Sequence, residues 1–346
     1  MAADGHFRAE TDGKTTLPLA IIEVMKMATS TMKGAALVPG ASHYKLVVKE
    51  MPVPPIREGE VLVRVHASAV NHMDVAFLHG LSNERVESLR KSLGQDVLTG
   101  IEFSGVAESS GQRIKKGMEV IGYVNIRADR RAHAQFTSVP EGALAEKPAG
   151  FTHVEAAALP GGCLTAYEAL TQIAKVKRGS RALIVGAAGS VGIYSVQLAR
   201  HLGCHVVAVC NPKLAAQLRA YGADEVLDYN QSIFTLPRSF DFVFDTPPTY
   251  SFKQCEPLLN DGGTYIHTLP SKDAEGFELA KTTTKHAGHM LVLAVKDDAL
   301  IQVANLASRG AIKPVVDSTF ELKDVAAAHD RFEVHGKLGK VIVSIP

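Results

Sequence analysis

The stretch Ala182–Gly203, ALIVGAAGSVGIYSVQLARHLG, decides the fold of this chain. It begins with Ala182–Val185, an apolar run rich in branched residues that is typical of a buried parallel strand. A glycine-rich turn follows, and apolar residues then recur at three- and four-residue spacing, which predicts a helix that ends at Gly203. Strand, glycine turn and helix, in that order, are the setting that a dinucleotide-binding turn requires.

The residue types in this turn suit the binding of a pyrophosphate. Gly189 and Gly192 have no Cβ atom, so the backbone and the helix can approach each other closely. The free N–H groups at the start of the helix, together with the helix dipole, favour a negative charge there. The first glycine of the usual G-x-G-x-x-G motif is Ala187 here. The predicted cofactor contacts of the turn are Gly186, Ala188, Gly189, Ser190, Val191 and Gly192.

The segments after the turn favour NADPH over NADH as the cofactor. The second strand, Cys204–Val209, is followed by Asn211 and Lys213, with no Asp or Glu where an NAD site places an acid on the ribose 2′-hydroxyl. Lys213 can instead meet a 2′-phosphate as a point charge, or it is a hydrated lysine at the start of a helix. Tyr229, in the third strand–helix unit, is a second candidate for the phosphate pocket.

Composition limits the class of protein. The chain has 346 residues, enough for two domains, and its 46% hydrophobic and 21% charged residues are typical of a globular protein. A net charge of +1 indicates neither a nucleic acid nor an anionic membrane surface as a partner. No apolar run approaches the roughly 20 residues of a transmembrane helix. The four cysteines lack metal-ligand spacing and are typical of reduced thiols, so we expect a cytoplasmic protein.

The pattern along the chain predicts two domains after an N-terminal extension. We expect residues 1–31 to be an extension that is either disordered or the product of an upstream start codon. Their acidic residues and the lack of a cleavage site fit no targeting peptide. Short strands and turns over 32–155 indicate a small β-barrel-like domain. Strands and helices alternate over 156–295, as a doubly wound sheet demands. The chain returns to helix and strand over 296–346, so the nucleotide domain is predicted to be inserted in the β-rich one.

Four local expectations complete this interpretation. The strand Phe240–Asp245 ends at Asp245, at the edge where such sheets hold ligands. A helical stretch after Phe151 is expected to be interrupted at Pro160, and Leu291–Val295 is expected to be the last strand of the nucleotide domain. Arg130 and its neighbour Arg131 could contact an acidic substrate or lie in water, and we favour water.

Several motifs occur in a fixed order from Met32 to the C-terminus, and together they carry a family resemblance. They are Ala69–Asp74, Gly100–Gly105, Glu155–Pro160, Leu164–Tyr167, Gly186–Gly192, Tyr221–Asp224 and Gly339–Val343. In these motifs the chain resembles the medium-chain dehydrogenase/reductase superfamily, specifically its zinc-free quinone oxidoreductase branch. The resemblance implies an α/β fold in which a Rossmann domain, a doubly wound parallel sheet, is inserted in a GroES-like catalytic domain. It also implies a possible homodimer.

The assignment to the zinc-free branch depends on metal chemistry. Zinc alcohol dehydrogenases of this superfamily hold their catalytic zinc with Cys, His and Cys, and the matching positions here are Asn71, Ile101 and Gly161. Isoleucine and glycine side chains supply no ligand to zinc. The four-cysteine lobe of the structural zinc is also missing. His72, His79 and Cys163 lie near the expected site, but we predict no metal.

The resemblance implies a reductase rather than an alcohol dehydrogenase, since no Lewis acid is available to stabilise an alkoxide. The expected reaction is hydride transfer from NADPH to a quinone or an α,β-unsaturated carbonyl, followed by protonation from solvent. The catalytic residues implied are Asn71, near the nicotinamide or the substrate carbonyl; Asp74, which would hold its loop; and Thr165, at the nicotinamide ribose or amide. Asp74 and Thr165 could alternatively cap helices. Asp245 and Leu269 are further predicted cofactor contacts.

Two other functions remain open at the level of sequence. One is an enoyl reductase of a polyketide-like or fatty-acid-like biosynthetic pathway, although the run His79–Ser82 lacks the tyrosine that such reductases often carry after a glycine. The other is an NADPH-binding protein without turnover. A panel of substrates would discriminate between them, since a non-catalytic protein would bind NADPH but oxidise none.

Overall fold

The computed structural model describes residues 30–40, 44–79, 84, 86–88, 91, 96–124, 129–268, 280–293 and 298–346. The predicted cofactor contact Leu269 and residues 1–29 of the predicted extension lie outside these described residues. Among the described residues, no helix combines the length and the apolar character that crossing a membrane requires.

The first part of the chain forms short antiparallel strands, as the sequence predicts. Their bounds are β1 (Thr31–Pro39), β2 (Tyr44–Pro52), β3 (Glu60–Ala69), β4 (Val97–Leu98), β5 (Glu102–Ala107), β6 (Glu119–Tyr123), β7 (Phe136–Pro140) and β8 (Leu144–Glu146). The helices of this part are α1 (His72–Leu78) and α2 (His153–Ala157). Along β3, Val61, Val63 and Val65 pack into one core whereas Leu62 packs into another, which is the period of two that a strand imposes.

The nucleotide domain is built on one long sheet. Its strands are β9 (Arg181–Val185), β10 (His205–Cys210), β11 (Glu225–Asp228), β12 (Phe240–Asp245), β13 (Leu259–His267), β14 (Ala280–Thr282) and β15 (Ala287–Met290). The sheet order is β11-β10-β9-β12-β13-β15-β14, in which all neighbours are parallel except β14 and β15. The six parallel strands therefore follow the order 3-2-1-4-5-6 of the Rossmann fold.

Helices cover this sheet and connect the two domains. They are α3 (Pro160–Tyr167), which continues as a π-helical turn over Glu168–Ile173, α4 (Gly192–His201), α5 (Ala215–Ala220), α6 (Phe252–Cys255) and α7 (Ala299–Ser308). A last helix, α8 (Val325–Glu333), packs instead into the core of the β-rich domain through Val325 and Ala328. Phe242 and Phe244 of β12 belong to the core cluster that also contains Ile101 and Ile121 of the β-rich part. One apolar core thus spans the two domains beside α3.

The chain ends in two strands that return to the first domain. β16 (Val316–Glu321) and β17 (Lys340–Ser344) are parallel to each other, and β17 pairs antiparallel with β3 in a sheet ordered β16-β17-β3-β5-β6-β8. The Rossmann sheet is therefore inserted between two segments of the GroES-like domain, which confirms the predicted fold class. The boundaries at 155/156 and 295/296 stay predictions.

Of the local expectations, one was confirmed and two were wrong. The helical stretch after Phe151 is interrupted, but at residues 158–159, and Pro160 begins α3 because the first helical position needs no N–H donor. The strand predicted over Leu291–Val295 is not found at residues 291–293, which follow β15, and residues 294–295 lie outside the described part of the chain. Arg130 and Arg131 do not lie in water: they are 7% and 2% exposed, and Arg130 donates to the carbonyl of Pro55.

Candidate active site

The glycine turn between β9 and α4 has the backbone geometry that the motif predicts. Gly186 has φ of +71°, a conformation that L side chains rarely adopt. A Cβ atom on Gly192 would lie 2.2 Å from the carbonyl oxygen of Gly186, so any side chain there would push α4 away from β9. Gly189 donates its N–H to the same carbonyl at 2.9 Å, which closes the turn. Gly186, at the start of the turn, and Gly192, at the start of α4, are therefore required for steric reasons.

The turn has room and donors for an anion. Gly189, Ser190 and Val191 are partly exposed, and the turn leads directly into the ten-residue helix α4. The first N–H groups of a helix have no acceptor within the helix, and the dipole favours negative charge at this end. The residues present therefore fit the pyrophosphate of a dinucleotide, and the six predicted contacts from Gly186 to Gly192 lie together on this turn.

Helix α3 packs directly against the turn, a contact that the sequence interpretation missed. A Cβ atom on Gly162 would lie 2.2 Å from the carbonyl oxygen of Ser190, so only glycine allows this approach. The hydroxyl of Tyr194, in α4, donates to the carbonyl of Ala158, between α2 and α3, at 2.8 Å and ties α4 to the segment that leads into α3. A glycine inside an apolar helix was the available signal.

Thr165 lies on α3 at the edge of this contact. Its hydroxyl donates to the carbonyl of Gly161 at 2.8 Å, one turn earlier in the same helix, and the residue is 8% exposed. Thr165 therefore does not cap a helix, and that alternative is wrong. Its contact with the nicotinamide ribose or amide stays a prediction.

Asn71 and Asp74 form the start of α1. Asp74 is fully buried, and its two carboxylate oxygens accept the N–H of Asn71 at 2.9 Å and the N–H of Gly100 at 2.7 Å. Asp74 thus caps α1, which confirms the alternative left open for it, and it also joins α1 to the segment before β5. Burial raises the pKa of Asp74 above its usual range, although both backbone donors favour the charged form. Because its carboxylate has no exposed surface, Asp74 is a positioning residue rather than one that touches substrate.

The carboxamide of Asn71 is held at both ends. Its Nδ2 donates to the carbonyl of Ala69 at 3.1 Å, and its Oδ1 accepts from Lys340 Nζ at 3.2 Å. Lys340 also contacts Glu102, and both members of this ion pair are buried, at 1% and 0% exposure. Glu102 accepts the N–H of Gly161 at 2.6 Å, at the start of α3.

Lys340 and Glu102 were missed as functional candidates. Both stand in motifs that carried the resemblance, yet nothing in the local sequence pairs two residues separated by 238 positions. The available signal was a lysine and a glutamate next to apolar residues, in parts of the chain where strands are predicted.

The positions that match the zinc ligands of alcohol dehydrogenases hold side chains that cannot bind zinc, and they make other contacts. Ile101 is buried among apolar residues, and a Cβ atom on Gly161 would lie 3.1 Å from the Glu102 carboxylate. His79 pairs with Glu333 at 3.0 Å, and burial raises the pKa of the Cys163 thiol well above its usual value. Among the residues that the structure describes, no group of three His, Cys, Asp or Glu side chains could hold a metal ion.

Asn211, Lys213 and Tyr229 lie at the carboxyl ends of two neighbouring strands. Asn211 and Lys213 follow β10, and Tyr229 follows β11 and donates its N–H to Cys210 at 3.0 Å. Asn211 Oδ1 accepts the N–H of Lys213 at 3.0 Å and so caps the short helical turn Pro212–Leu214 that contains the lysine. The side chains of Lys213 and Tyr229 are exposed, the latter by 53%, on the same edge of the sheet as the glycine turn. The structure therefore brings these three residues together.

Asp245 does not present its carboxylate to the open cleft, and its contact with the cofactor stays a prediction. Its side chain is 0% exposed, and Oδ2 accepts the N–H of Tyr250 at 2.6 Å and the hydroxyl of Tyr265 at 3.3 Å. The residue faces the core cluster on the side of the sheet opposite to α3, because β12 alternates its side chains. In this structure the Asp245 carboxylate holds the loop after β12 and is not part of the exposed surface of the cleft.

The comparisons with known proteins agree with this architecture. Residues 57–172 match the family model described as "Alcohol dehydrogenase GroES-like domain", and residues 221–343 match the one described as "Zinc-binding dehydrogenase". A quinone-oxidoreductase homolog of Spinacia oleracea, named as chloroplastic, is 30% identical over 307 residues, which cover 85% of this chain and 92% of that protein. An Arabidopsis thaliana protein named "NADPH-dependent alkenal/one oxidoreductase, chloroplastic" is 29% identical over 304 residues, 84% of this chain and 73% of that protein.

The solved structures show the same fold. The quinone oxidoreductase from Coxiella burnetii superimposes with a TM-score of 0.74 and 23% sequence identity, covering 92% of this chain and all of that one. The likeness extends over both domains and includes the insertion of the Rossmann sheet.

Proposed function

Since this chain belongs to the quinone oxidoreductase branch of the medium-chain dehydrogenase/reductase superfamily, we propose that it reduces quinones or α,β-unsaturated carbonyl compounds with NADPH. Membership makes the protein an oxidoreductase with a nicotinamide cofactor; the proposal concerns which cofactor and which substrate. The observation that carries it is the Asn71 carboxamide, which accepts from Lys340 of a buried ion pair, while Glu102 of that pair accepts the N–H of Gly161, where zinc-dependent relatives need metal ligands. The names of the spinach and Arabidopsis relatives support the same substrate classes.

The chemistry of the site favours substrates that delocalise charge. A bound nicotinamide cofactor supplies a hydride. Asn71 has one N–H left after its bond to Ala69, and this group is the donor that would bind the substrate carbonyl, where negative charge develops. A single amide donor does not replace a Lewis acid for an alkoxide, whereas an enolate or a hydroquinone anion spreads its charge over several atoms. The proton that completes the reduction would come from solvent.

The cofactor side of the proposal depends on two surfaces. The start of α4 would bind the pyrophosphate through the N–H groups around Ser190 and Val191. Lys213 and Tyr229, exposed at the ends of β10 and β11, would hold the ribose 2′-phosphate. Thr165 on α3 would meet the nicotinamide end, as the resemblance implies.

The substrate proposal is tested by following NADPH oxidation against a benzoquinone, a phenanthrenequinone, an enone, a 2-alkenal and crotonyl-CoA. Turnover with quinones, the enone or the alkenal supports the proposal. Turnover only with the thioester would replace it by an enoyl reductase of a biosynthetic pathway. Tight NADPH binding without turnover of any member would contradict it and favour a non-catalytic binding protein.

The cofactor proposal is tested by Lys213→Ala, with Lys253→Ala, another exposed lysine of the same domain, as the matched control. A lost charge-assisted contact with phosphate is expected to raise the Kd for NADPH about tenfold or more and the Kd for NADH less than about twofold. Equal weakening of both cofactors would remove the assignment of NADPH. The control variant should change neither constant.

Location and assembly remain proposals as well. We propose a cytoplasmic protein on the basis of composition, although the Spinacia and Arabidopsis relatives are named as chloroplastic. We also propose a homodimer, in line with the resemblance; sedimentation at micromolar concentration gives the mass of the particle directly.

A further inference from the structure

The buried ion pair of Lys340 and Glu102 stands next to the site without a role in the mechanism above. The strand register explains its position. Ile342 pairs with Ala69, and Val70 donates its N–H to the carbonyl of Val341, so Lys340 lies opposite Asn71 across the end of the two strands. The lysine therefore reaches Asn71 as a consequence of backbone pairing, and its charge is carried into a position with 1% exposure.

The hydrogen bonds of the Asn71 carboxamide leave one orientation. Lys340 Nζ can only donate, so it must face Oδ1, and the carbonyl of Ala69 can only accept, so it must face Nδ2. A flipped carboxamide would place two donors against each other at Lys340 and two acceptors against each other at Ala69. Of these two restraints, the bond from a charged ammonium group is the stronger one.

Lys340 is also tied to the cofactor turn through the backbone. Its neighbour Gly339 donates its N–H to the carbonyl of Ala188 in that turn at 2.9 Å. Gly339 has φ of +83°, and a Cβ atom there would lie 2.3 Å from the carbonyl oxygen of Val315, so only glycine permits this path. Glu102, the partner of Lys340, accepts the N–H of Gly161 at the start of α3. The ion pair therefore lies between the cofactor turn, α3 and Asn71.

We propose that Lys340, balanced by Glu102, is a positioning residue that orients the Asn71 carboxamide and polarises its free N–H toward the substrate carbonyl. This inference rests on the proposed function of the site. A cation against Oδ1 draws electron density from the amide and makes the remaining N–H a stronger donor. Glu102 makes the buried charge tolerable, because an unpaired ammonium group in this place would be strongly unfavourable.

The test replaces both charges at once, with Lys340→Met and Glu102→Gln, so that neither is left unpaired. The matched control carries the same two changes at Lys147 and Glu119, a buried lysine and its glutamate partner at 3.2 Å in the same domain. We expect kcat to fall about tenfold, since a weakened donor to the developing oxyanion acts mainly in the transition state. The KM for NADPH should change less than about twofold, and the control should keep the kcat of the wild type.

A double-mutant cycle separates positioning from general damage. In an Asn71→Ala background, the Lys340→Met and Glu102→Gln pair should cause no further loss of kcat, because its effect passes through Asn71. If the pair lowers kcat by the same factor in the wild-type and Asn71→Ala backgrounds, the proposal is overturned. It is also overturned if the pair leaves kcat unchanged in the wild-type background.

A readout without turnover keeps this inference separate from the proposed function. In protein labelled with ¹⁵N-asparagine and free of cofactor, the side-chain amide signals of Asn71 are identified by their loss in Asn71→Ala. The charge-neutral pair should shift these signals and speed the exchange of the amide protons with water several-fold. Unchanged signals in the charge-neutral pair would overturn the proposal. If the pair shifts the signals but the wild type turns over no substrate, only the proposed reductase activity is contradicted.

A comparison within the wild type covers the case in which the variants do not fold. Asn260 is half-buried, and its Nδ2 donates to Asp241 at 3.0 Å. We expect the carboxamide of Asn71, held at both ends, to rotate about tenfold more slowly than that of Asn260. Equal rotation rates would overturn the proposal.

Discussion

Acidification should destabilise this protein through two buried histidines behind Asp74. His133 and His329 are 0% and 1% exposed, and their rings meet edge to face with centroids 5.8 Å apart. Thr99 Oγ1 lies 2.8 Å from His133 Nδ1, whereas neither ring nitrogen of His329 has a hydrogen-bond partner among the described residues. Burial lowers the pKa of each histidine to about 4. The ring of His133 further lowers the pKa of His329, whereas the carboxylates of Asp74 and Glu333 act in the opposite direction.

The sign and size of the effect follow from linkage. A histidine whose folded pKa lies below its unfolded value of 6.5 stabilises the folded state above pH 6.5, and this contribution is lost as the pH falls toward 4. For a pKa of about 4, the loss between pH 7.5 and pH 5.0 is about 2 kcal/mol for each histidine. Below pH 4 the loss of stability approaches about 3.4 kcal/mol for each histidine, since one unit of pKa corresponds to about 1.4 kcal/mol.

The substitution His329→Leu isolates this effect. Because the ring makes no described hydrogen bond, leucine removes the titration without breaking one. The free energy of unfolding is measured with urea at pH 7.5 and at pH 5.0 by far-UV circular dichroism, since the chain has no tryptophan. The loss on acidification should be smaller than in the wild type by about 2 kcal/mol. His335→Gln, at an exposed histidine, is the control and should keep the wild-type loss. An equal loss in His329→Leu and the wild type would refute the reasoning.

Three further predictions concern the site. Gly192→Ala should lower the free energy of unfolding by about 2 kcal/mol and weaken NADPH binding about tenfold or more, because its Cβ would lie 2.2 Å from the carbonyl oxygen of Gly186. Urea unfolding measures the stability and titration calorimetry measures the affinity for NADPH. An affinity equal to that of the wild type would contradict the steric argument. Asp74→Asn should cost about 2 kcal/mol of stability and lower kcat, since an amide NH₂ must then face the N–H of either Asn71 or Gly100. A midpoint of urea unfolding equal to that of the wild type would show that these hydrogen bonds contribute little to stability. Metal analysis should find fewer than about one zinc per ten chains, and a chelator should leave kcat unchanged; tight one-to-one zinc would refute the absence of a metal site.

The sequence by itself determined the architecture, because the signals for it are local. The apolar run before the glycine turn, the helix after it and the alternation that follows are patterns of two to four residues. Each pattern specifies which face of a strand or helix is buried, and the order 3-2-1-4-5-6 then follows from the known way in which such units connect. The turn residues from Gly186 to Gly192 and the residues after β10 and β11 could be predicted for the same reason.

Errors arose where burial depended on distant segments. Arg130 and Arg131 resemble surface residues in sequence, but the carbonyl of Pro55 and the ring of Phe77 cover them. Asp245 was predicted correctly at the end of a strand, yet the alternation of β12 turns its carboxylate toward Tyr250 and Tyr265. A strand end specifies which edge of the sheet a residue occupies, not which side of the sheet its side chain faces.

Only the tertiary structure decided how the site is assembled. Lys340 lies 269 positions from Asn71 and 238 from Glu102, and they meet because β17 pairs with β3 and α3 begins beside β5. Gly162 contacts Ser190 because α3 and α4, on either side of β9 in the chain, pack against each other on one face of the sheet. A hydrogen bond between side chains depends on position to within a few tenths of an ångström. Local periodicity carries no such information, so the sequence determined which surfaces face each other and the packed chain determined which atoms meet.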